Sequence, residues 1–370
     1  MRPPEPLPTF GELRSLAREH GIEHLGVAPA GVLYRARQAL VERRAAGLDG
    51  GMEFTYRNPQ RSTDPGRAVP GARSIVVAAR SYLADEEPPR PSGAQARVAR
   101  YAWVDHYAPL RAGLQAIARR LRAAGERAIA FADDNAVVDR EVAYLGGLGW
   151  FGKNANLLVA GAGSWFVLGS VVTTAGYEAE VPAAPVGDGC GACTRCIERC
   201  PTGAIVAPGI IDARRCLAWV LQRPGSIPVE LRPAVGDRMY GCDDCQEVCP
   251  PTIRLGRRHR RALGDLAAEA RGTEDRAGVA QAGLEAWVDV LDLLDADDEM
   301  LLRNHGRWYI SGRDPRWLRR NALVVLGNVG DRSDTRTVAT LARYRHGDDE
   351  VLAEHARWAS GRLGLLTGAA

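Results

Sequence analysis

All eight cysteines of this 370-residue chain fall between Cys190 and Cys249, and their spacing constrains the fold more tightly than any other feature. Cys190-x2-Cys193-x2-Cys196-x3-Cys200-Pro201 is the ligand run of bacterial ferredoxins, in which three cysteines close on one iron–sulfur cluster and the fourth serves another. Two residues between thiolates let a tight turn set three sulfurs on three corners of a cubane, and the helix that follows carries the fourth away. Cys242-x2-Cys245-x3-Cys249-Pro250 repeats the run, with its first ligand displaced to Cys216. The expected partition is Cys190, Cys193, Cys196 and Cys249 on one [4Fe–4S] cluster, and Cys200, Cys216, Cys242 and Cys245 on the other. Two zinc sites would consume the same thiolates, but zinc ligands usually come as separated Cys-x-x-Cys pairs. Disulfides need an oxidising compartment, which nothing in the chain supports.

The rest of the chain is long enough for two or three domains. With 46% hydrophobic and 25% charged residues it has the composition of a soluble globular protein. No apolar run reaches the roughly 18 residues of a membrane span, and Met1-Arg2-Pro3-Pro4 does not read as a signal peptide, so a cytoplasmic protein is expected. Thr9-Phe10-Gly11-Glu12 spells a capping box, with Gly21 as the helix stop. Apolar runs at His24–Ala28, Ser74–Ala79 and Ala128–Ala132 predict strands, and 34–46, 108–124 and 136–146 carry helical spacing. Leu157-Leu158-Val159, a glycine turn at 161–163 and Trp165-Phe166-Val167-Leu168 read as a hairpin.

Pro182–Gly189 is a small-residue linker, and Arg254–Arg261 is a basic stretch without strand character. From 284 onward the chain reads as helical, with Asp314-Pro315 opening an amphipathic helix over Arg316–Leu326. Leu318, Ala322 and Gly327 recur 34 residues later as Leu352, Ala356 and Gly361, which suits either a HEAT-like helix-pair repeat or coincidence of helical spacing. Gly147-Leu148-Gly149-Trp150-Phe151-Gly152-Lys153-Asn154 matches G-x-G-x-x-G and nearly matches a P-loop. Both motifs need a strand before and a helix after. The order here is reversed, and Asn154 replaces the Mg²⁺-binding hydroxyl, so a glycine-rich corner is expected instead of a nucleotide site. It carries Lys153, the chain's single lysine among 48 basic residues.

Taken together these residues resemble the epoxyqueuosine reductase family over nearly the whole chain. The resemblance rests on Phe131-Ala132-Asp133, Gly147-Leu148-Gly149-Trp150-x-Gly152-Lys153, Cys200-Pro201-Thr202-Gly203-Ala204-Ile205, and Asp212-Ala213-Arg214-Arg215-Cys216. It rests further on Tyr240-Gly241-Cys242-Asp243-Asp244-Cys245-Gln246 and Trp317-Leu318-Arg319-Arg320-Asn321-Ala322-Leu323. The resemblance implies an α+β multidomain fold. Its parts would be a nitroreductase-like α/β cobalamin domain over 1–180, a ferredoxin-like domain with two [4Fe–4S] clusters over 181–255, and a C-terminal HEAT-like α-helical repeat over 256–370 that helps hold tRNA. The implied activity is that of an oxidoreductase. It reduces epoxyqueuosine to queuosine at the wobble position of tRNA, the last step of queuosine biosynthesis, with cobalamin and both clusters serving to remove the epoxide oxygen.

Asp133 matches the family's proton donor. An oxirane C–O bond breaks when the departing oxyanion is neutralised, which a carboxylic acid kept protonated by burial or by cluster charge can do. Without the resemblance, Asp133 also reads as an N-cap at a strand end. The family's cobalamin contacts fall on Arg57, Asp133, Leu157, Leu168, Val171, Ala218, Cys242 and Asp243. Lys153, Arg316, Arg319 and Arg320 are candidate tRNA contacts beside Arg254–Arg261, with Lys153 offering a compact charge to a phosphate or propionamide. The expected partners are the tRNA anticodon stem-loop carrying epoxyqueuosine and an external electron-donor protein; no membrane is involved, and a monomer is expected. Formal net charge is +3, and two oxidised clusters of about −2 each bring the loaded protein to about −1. RNA affinity must then come from local patches.

The family usually shows Tyr-Ala-x-Gly-x-Asp-Tyr-His where this chain has Tyr101-Ala102-Trp103-Val104-Asp105-His106-Tyr107-Ala108. His106 is therefore either a substitute acid or a surface histidine. The competing enzyme reading is a reductive dehalogenase-type corrinoid iron–sulfur oxidoreductase acting on a small molecule, but such enzymes usually carry an export signal and lack a helical repeat. A plain electron carrier would leave the large N-terminal α/β domain without a role, and a tRNA-binding module with structural clusters is the third class.

Overall fold

The structure is a computed structural model that describes residues 4–83, 88–258 and 285–366. Residues 259–261, the end of the predicted basic stretch, lie outside the described residues. The capping box forms as predicted: Glu12 N donates to Thr9 Oγ1 at 3.3 Å and Thr9 N to Glu12 Oε2 at 2.7 Å, opening the helix Phe10–Glu19. Gly21 ends it at φ +68°, where an L side chain would cost roughly 1–2 kcal/mol.

The described strands are β1 (His24–Pro29), β2 (Ser74–Ser81), β3 (Gln95–Val98), β4 (Ala128–Ala132), β5 (Gly149–Phe151) and β6 (Leu157–Val159). They continue with β7 (Phe166–Thr173), β8 (Ile205–Ala207), β9 (Ile210–Ile211), β10 (Arg238–Tyr240) and β11 (Trp287–Asp289). β1, β2, β7 and β4 form an antiparallel sheet in that order. Side chains alternate along a strand. Val27, Val76 and Val171 therefore face the helices Phe10–Glu19 and Tyr107–Ala123, while Ala28, Ile75, Val77 and Val172 face the helix Asp139–Leu145 and β6. Both faces are covered, which is why these strands read as unbroken apolar runs.

The predicted hairpin is corrected. β6 pairs back with β5, Leu157 opposite Phe151, and towards β7 the described residues show a single bridge from Val159 to Gly163. One apolar stretch thus holds two strands of different sheets, separated by a turn too wide to pair them. The helical reading beyond 284 is also corrected, because Trp287–Asp289 is a strand. It lies antiparallel to β3, which lies parallel to β10, so this sheet takes one strand from each third of the chain. Beneath it one apolar core draws on Val98, Leu217, Met239, Leu291, Leu323 and Leu352, residues from all three expected segments.

The helix Arg316–Val329 starts where Asp314 Oδ1 accepts from Arg316 N at 3.0 Å. It packs on the helix Glu350–Arg362 so closely that a Cβ at Gly327 would meet Ala359 Cα at 2.8 Å. Arg320, expected to meet tRNA, is wholly buried against the loop that follows Cys216, and the expectation is corrected. Its guanidinium donates to the carbonyls of Arg223 at 2.7 Å, Gly225 at 2.6 Å, and Val220 and Leu221 at 3.2 Å. Asn321 Nδ2 adds bonds to Leu221 O at 2.7 Å and Met239 O at 3.1 Å. Burial, then the charges of Arg223 and Arg232, pull the Arg320 pKa down to about 9. The side chain fastens the C-terminal helices to the loop after Cys216.

Replacing Arg320 by Met leaves buried carbonyls without donors, at roughly 1–3 kcal/mol each. Arg320→Met should lower stability by about 3 kcal/mol or more in a urea titration. An unchanged midpoint with weakened RNA binding would restore the surface role.

Candidate active site

The two cysteine runs meet where the short helix Arg195–Arg199 packs on the helix Asp244–Glu247. Their thiols fall into two sets. Cys196 feels the charges of Cys249, Cys190 and Cys193, and Cys249 feels Cys190 and Cys193. Cys245 feels Cys242 and Cys216, Cys242 feels Cys216, and Cys216 feels Cys200. Cys245 also feels Cys196, so the sets adjoin. Burial first, then neighbouring thiols and acids, push these groups towards the protonated form, Cys242 to about 12. Thiolates gathered this way repel one another until cations stand between them, which is what iron would supply.

Donors already point at the sulfurs. The Ala218 and Trp219 amides serve Cys216, Ala204 N lies 3.2 Å from Cys200 Sγ, and Thr252 donates to Cys249. The buried Trp150 indole N–H has no acceptor among the described residues. Its ring edge lies against Gly189, where a Cβ would meet it at 2.5 Å, one residue before Cys190. An orphaned donor beside the first cysteine fits a sulfur-rich group. Among the described residues no three His, Cys, Asp or Glu gather around a single ion as a zinc site requires, whereas a cubane binds its thiolates at separate iron corners.

Directly after β4 comes Asp133, one of three described non-glycine residues in the left-handed region, at φ +54°. Among the described residues no hydrogen bond or ion pair holds its carboxyl; it is reachable by solvent, yet partial burial raises its pKa against the pull of Arg111, with Asp134 adding to the rise. It is no N-cap, since the next helix, Asp139–Leu145, has Val138 at its cap. Asp139 lies deeper, its pKa raised well above the usual range by burial although Ser170 Oγ donates to it at 3.4 Å. Tyr107 feels both carboxyls, and Tyr240 feels Asp133. Tyr240 sits on β10 two residues before Cys242, stacked on Trp308 at 4.8 Å, with its hydroxyl accepting from Tyr309 N at 2.8 Å. The tyrosines therefore connect the carboxyl side to the cysteine side. Asp139 and Tyr240 escaped the sequence reading as site residues; the run of acids at 133, 134 and 139 was the available signal.

The other expected residues divide. Ala218 stands in the short helix after Cys216, and Cys242 and Asp243 stand on the second cysteine loop, where the Asp243 carboxylate is buried and accepts from Arg100 N at 2.7 Å. Leu157 and Leu168 pack into the cluster on one sheet face, and Arg57 is exposed at the end of the helix Glu53–Tyr56. Val171 is corrected: it points to the opposite sheet face, 0% exposed within the core, and no ligand can reach it. Lys153 Nζ donates to Gly191 O at 2.7 Å and so ties the glycine corner to the first cysteine turn. That corner follows a helix and leads into a strand pair, as expected. Arg316 pairs with Asp314 and Asp349, and Arg319 pairs with Asp298 and also reaches Ala296 O. His106 is not a surface histidine. It is half-buried, 3.3 Å from Arg80 Nη1 and packed on Tyr82, and burial, then the Arg80 charge, push its pKa down to about 4.

Comparison with known proteins covers the whole chain. A family model described as a 4Fe-4S double cluster binding domain matches residues 189–252, and one described as Epoxyqueuosine reductase QueG, DUF1730 matches 62–139. An epoxyqueuosine reductase of Xanthomonas campestris pv. campestris is 34% identical, the match covering 98% of both chains. A crystal structure of epoxyqueuosine reductase with an epoxyqueuosine-modified tRNA-Tyr stem loop is 27% identical with a TM-score of 0.80, over 96% of this chain and 90% of that one. The Bacillus subtilis enzyme, solved with an aspartate-bearing catalytic loop swung out of its active site, is 26% identical with a TM-score of 0.79, over the same shares.

An unfolded histidine titrates near about 6.5. With a folded pKa near 4, His106 stabilises the fold fully above about pH 6.5 and loses that contribution as pH falls towards 4. Its NMR titration midpoint should lie near 4, and His106→Gln should weaken the fall in melting temperature over that interval. A midpoint near 6.5 would return His106 to the list of neutral-pH acids.

Proposed function

The chain belongs to the epoxyqueuosine reductase family, and on that premise we propose that it reduces epoxyqueuosine to queuosine at the wobble position of tRNA with cobalamin and two [4Fe–4S] clusters. As a member of that family it is an oxidoreductase. Family membership favours a tRNA substrate over the small molecule of the dehalogenase reading. Cys190, Cys193, Cys196 and Cys249 hold one cluster and Cys200, Cys216, Cys242 and Cys245 the other, a division supported by which thiols feel each other's charge. Arg57, Leu157, Leu168, Ala218, Cys242 and Asp243 bind the corrin, with the half-buried Ala218 and Cys242 serving both the corrin and the adjoining sulfurs. The α/β layers up to about 180 are the nitroreductase-like cobalamin domain, 181–255 the ferredoxin-like domain, and the helices of 256–370 a HEAT-like unit that helps hold the tRNA.

The observation that carries the chemistry is Asp133, a carboxyl with no partner among the described residues, in a strained turn, whose proton affinity is raised by burial. Once bound, the cobalamin, reduced through the clusters, supplies two electrons to cleave the epoxide and leave an alkene. Loss of the oxygen as water also consumes two protons. Asp133 gives the first to the departing oxygen. Asp139, buried behind it and held protonated, restores Asp133 for the second. No flavin motif lies in the chain, so an external protein donates the electrons, and a monomer contains the whole site. No helix of the described residues is long and apolar enough to cross a membrane.

Anaerobically loaded protein should hold about eight irons and one corrinoid and convert epoxyqueuosine in a stem-loop RNA to queuosine. Asp133→Asn should cut turnover by at least about 100-fold with iron and corrinoid content unchanged. Activity should fall as pH rises through the raised Asp133 pKa, because the acid is then deprotonated. Wild-type rates in Asp133→Asn would remove the acid assignment. Failure to bind a corrinoid would remove the cofactor.

A further inference from the structure

We propose that the concavity between the turn after Cys200 and the loop after Cys216 is a phosphate site that grips the sugar–phosphate backbone of the RNA substrate away from the reacting nucleotide. The inference rests on the tRNA reading above. The cavity has a volume of about 810 Å³, with Thr202 and Gly203 on one wall, Arg214 and Arg215 on a second, and Arg223 and Leu231 on a third. It belongs to none of the expected RNA or corrin contacts, yet its walls adjoin the ligand turns: Thr202 lies two residues after Cys200, and Arg215 immediately precedes Cys216.

Its charges are not neutralised from within. Arg223 has its Nε buried with no acceptor among the described residues, and none of their carboxylates pairs with it. Arg215 likewise has no ion pair among them; Asp212, which feels its charge, is gripped by Arg214 through two bonds of 2.8 Å. Behind the wall lies the buried Arg320, close enough to Arg223 to feel its charge, while Arg232 is answered by Glu354. The one acid on the lining is Glu230. With Arg214 answered by Asp212, the guanidiniums of Arg215 and Arg223 stand against the one lining carboxylate and make a site that is stable when an anion sits in it. Gly203 keeps the opening clear: it stands at φ +60°, and a Cβ there would come within 3.0 Å of Arg215 Nη2.

Guanidinium forks match phosphate oxygens in pairs, and Pro201, Pro228 and Leu231 offer an apolar surface to the attached sugar. The recess holds more than one bare phosphate, which suits a nucleotide unit. The half-buried Arg223 lies within the recess rather than on a protruding rim, so the shape favours a thin strand over the face of an acidic electron-donor protein. A loaded protein of about −1 net charge needs such a patch to attract RNA.

The test uses full-length, cluster- and cobalamin-loaded enzyme with a stem-loop RNA, comparing wild type with the double variant Arg215→Gln, Arg223→Gln. RNA affinity should fall at least about tenfold, and the slope of log Kd against log salt should flatten by about 1.4–1.8 for two lost phosphate contacts. Arg215→Lys, Arg223→Lys should keep the slope, and iron content should match wild type in each, which excludes a damaged cluster turn. Unchanged affinity and slope in the Gln variant would overturn the inference. So would a defect confined to turnover driven by a protein donor and absent with dithionite, since that marks a donor-docking face. If wild type binds the stem-loop with this salt dependence but never reduces it, the proposed function fails and the phosphate site stands.

Discussion

Eight thiols held in two adjoining sets impose the condition that the rest of this molecule satisfies. Buried and close together, they resist ionisation, Cys242 most visibly with its pKa pushed up to about 12. A chain that must nonetheless present thiolates has to supply hydrogen-bond donors around them and hold the turns rigid against their repulsion. The surroundings fit that need. Amides of Ala204, Ala218 and Trp219 face sulfur, Lys153 clamps the first turn through Gly191, and Trp150 brings to Gly189 an N–H without an acceptor among the described residues.

Rigidity in this region comes from outside it. The loop after Cys216 has no regular structure of its own between Leu221 and Pro228, and its carbonyls are gathered by Arg320 from a helix about a hundred residues away. Burying a guanidinium is costly unless every N–H finds an acceptor, and here backbone carbonyls and the Asn321 side-chain oxygen provide them. The β10–β3–β11 sheet does similar work on the other side, setting Tyr240, and so the start of the Tyr-Gly-Cys-Asp-Asp-Cys turn, against Trp308 and Tyr309. The C-terminal helices are thus part of the support of the cysteine loops, not an appended unit.

The α/β layers contribute one reactive end. A sheet covered on both faces can carry an apolar strand into an abrupt, strained turn, because the packing of Phe131 and Ala132 and the pairing of β4 with β7 hold the backbone in place. Asp133 is what emerges: a carboxyl with no hydrogen-bond or ion-pair partner among the described residues, beside Tyr107 and within electrostatic reach of Tyr240. The Asp133 carboxyl and the cysteine turns come from different parts of the chain and meet only through this packing.

Local chemistry made much of this legible in the sequence. Thiolate spacing, the capping box at Thr9, the three apolar strands and the reversed glycine motif are determined by neighbours a few residues apart, and each appears where the sequence put it. What tertiary structure alone decided depends on which side of an element faces inward. Arg316, Arg319 and Arg320 share one helix and look alike in sequence, yet Arg320 turns into a carbonyl-lined interface and is wholly buried. Val171 and Leu168 lie three residues apart on one strand and so look to opposite faces of the sheet. The run from Leu157 to Leu168 could not show that its first strand pairs backwards, nor could Trp287–Asp289 show that it completes a sheet begun at Gln95, because pairing across such distances is decided by the whole packed core.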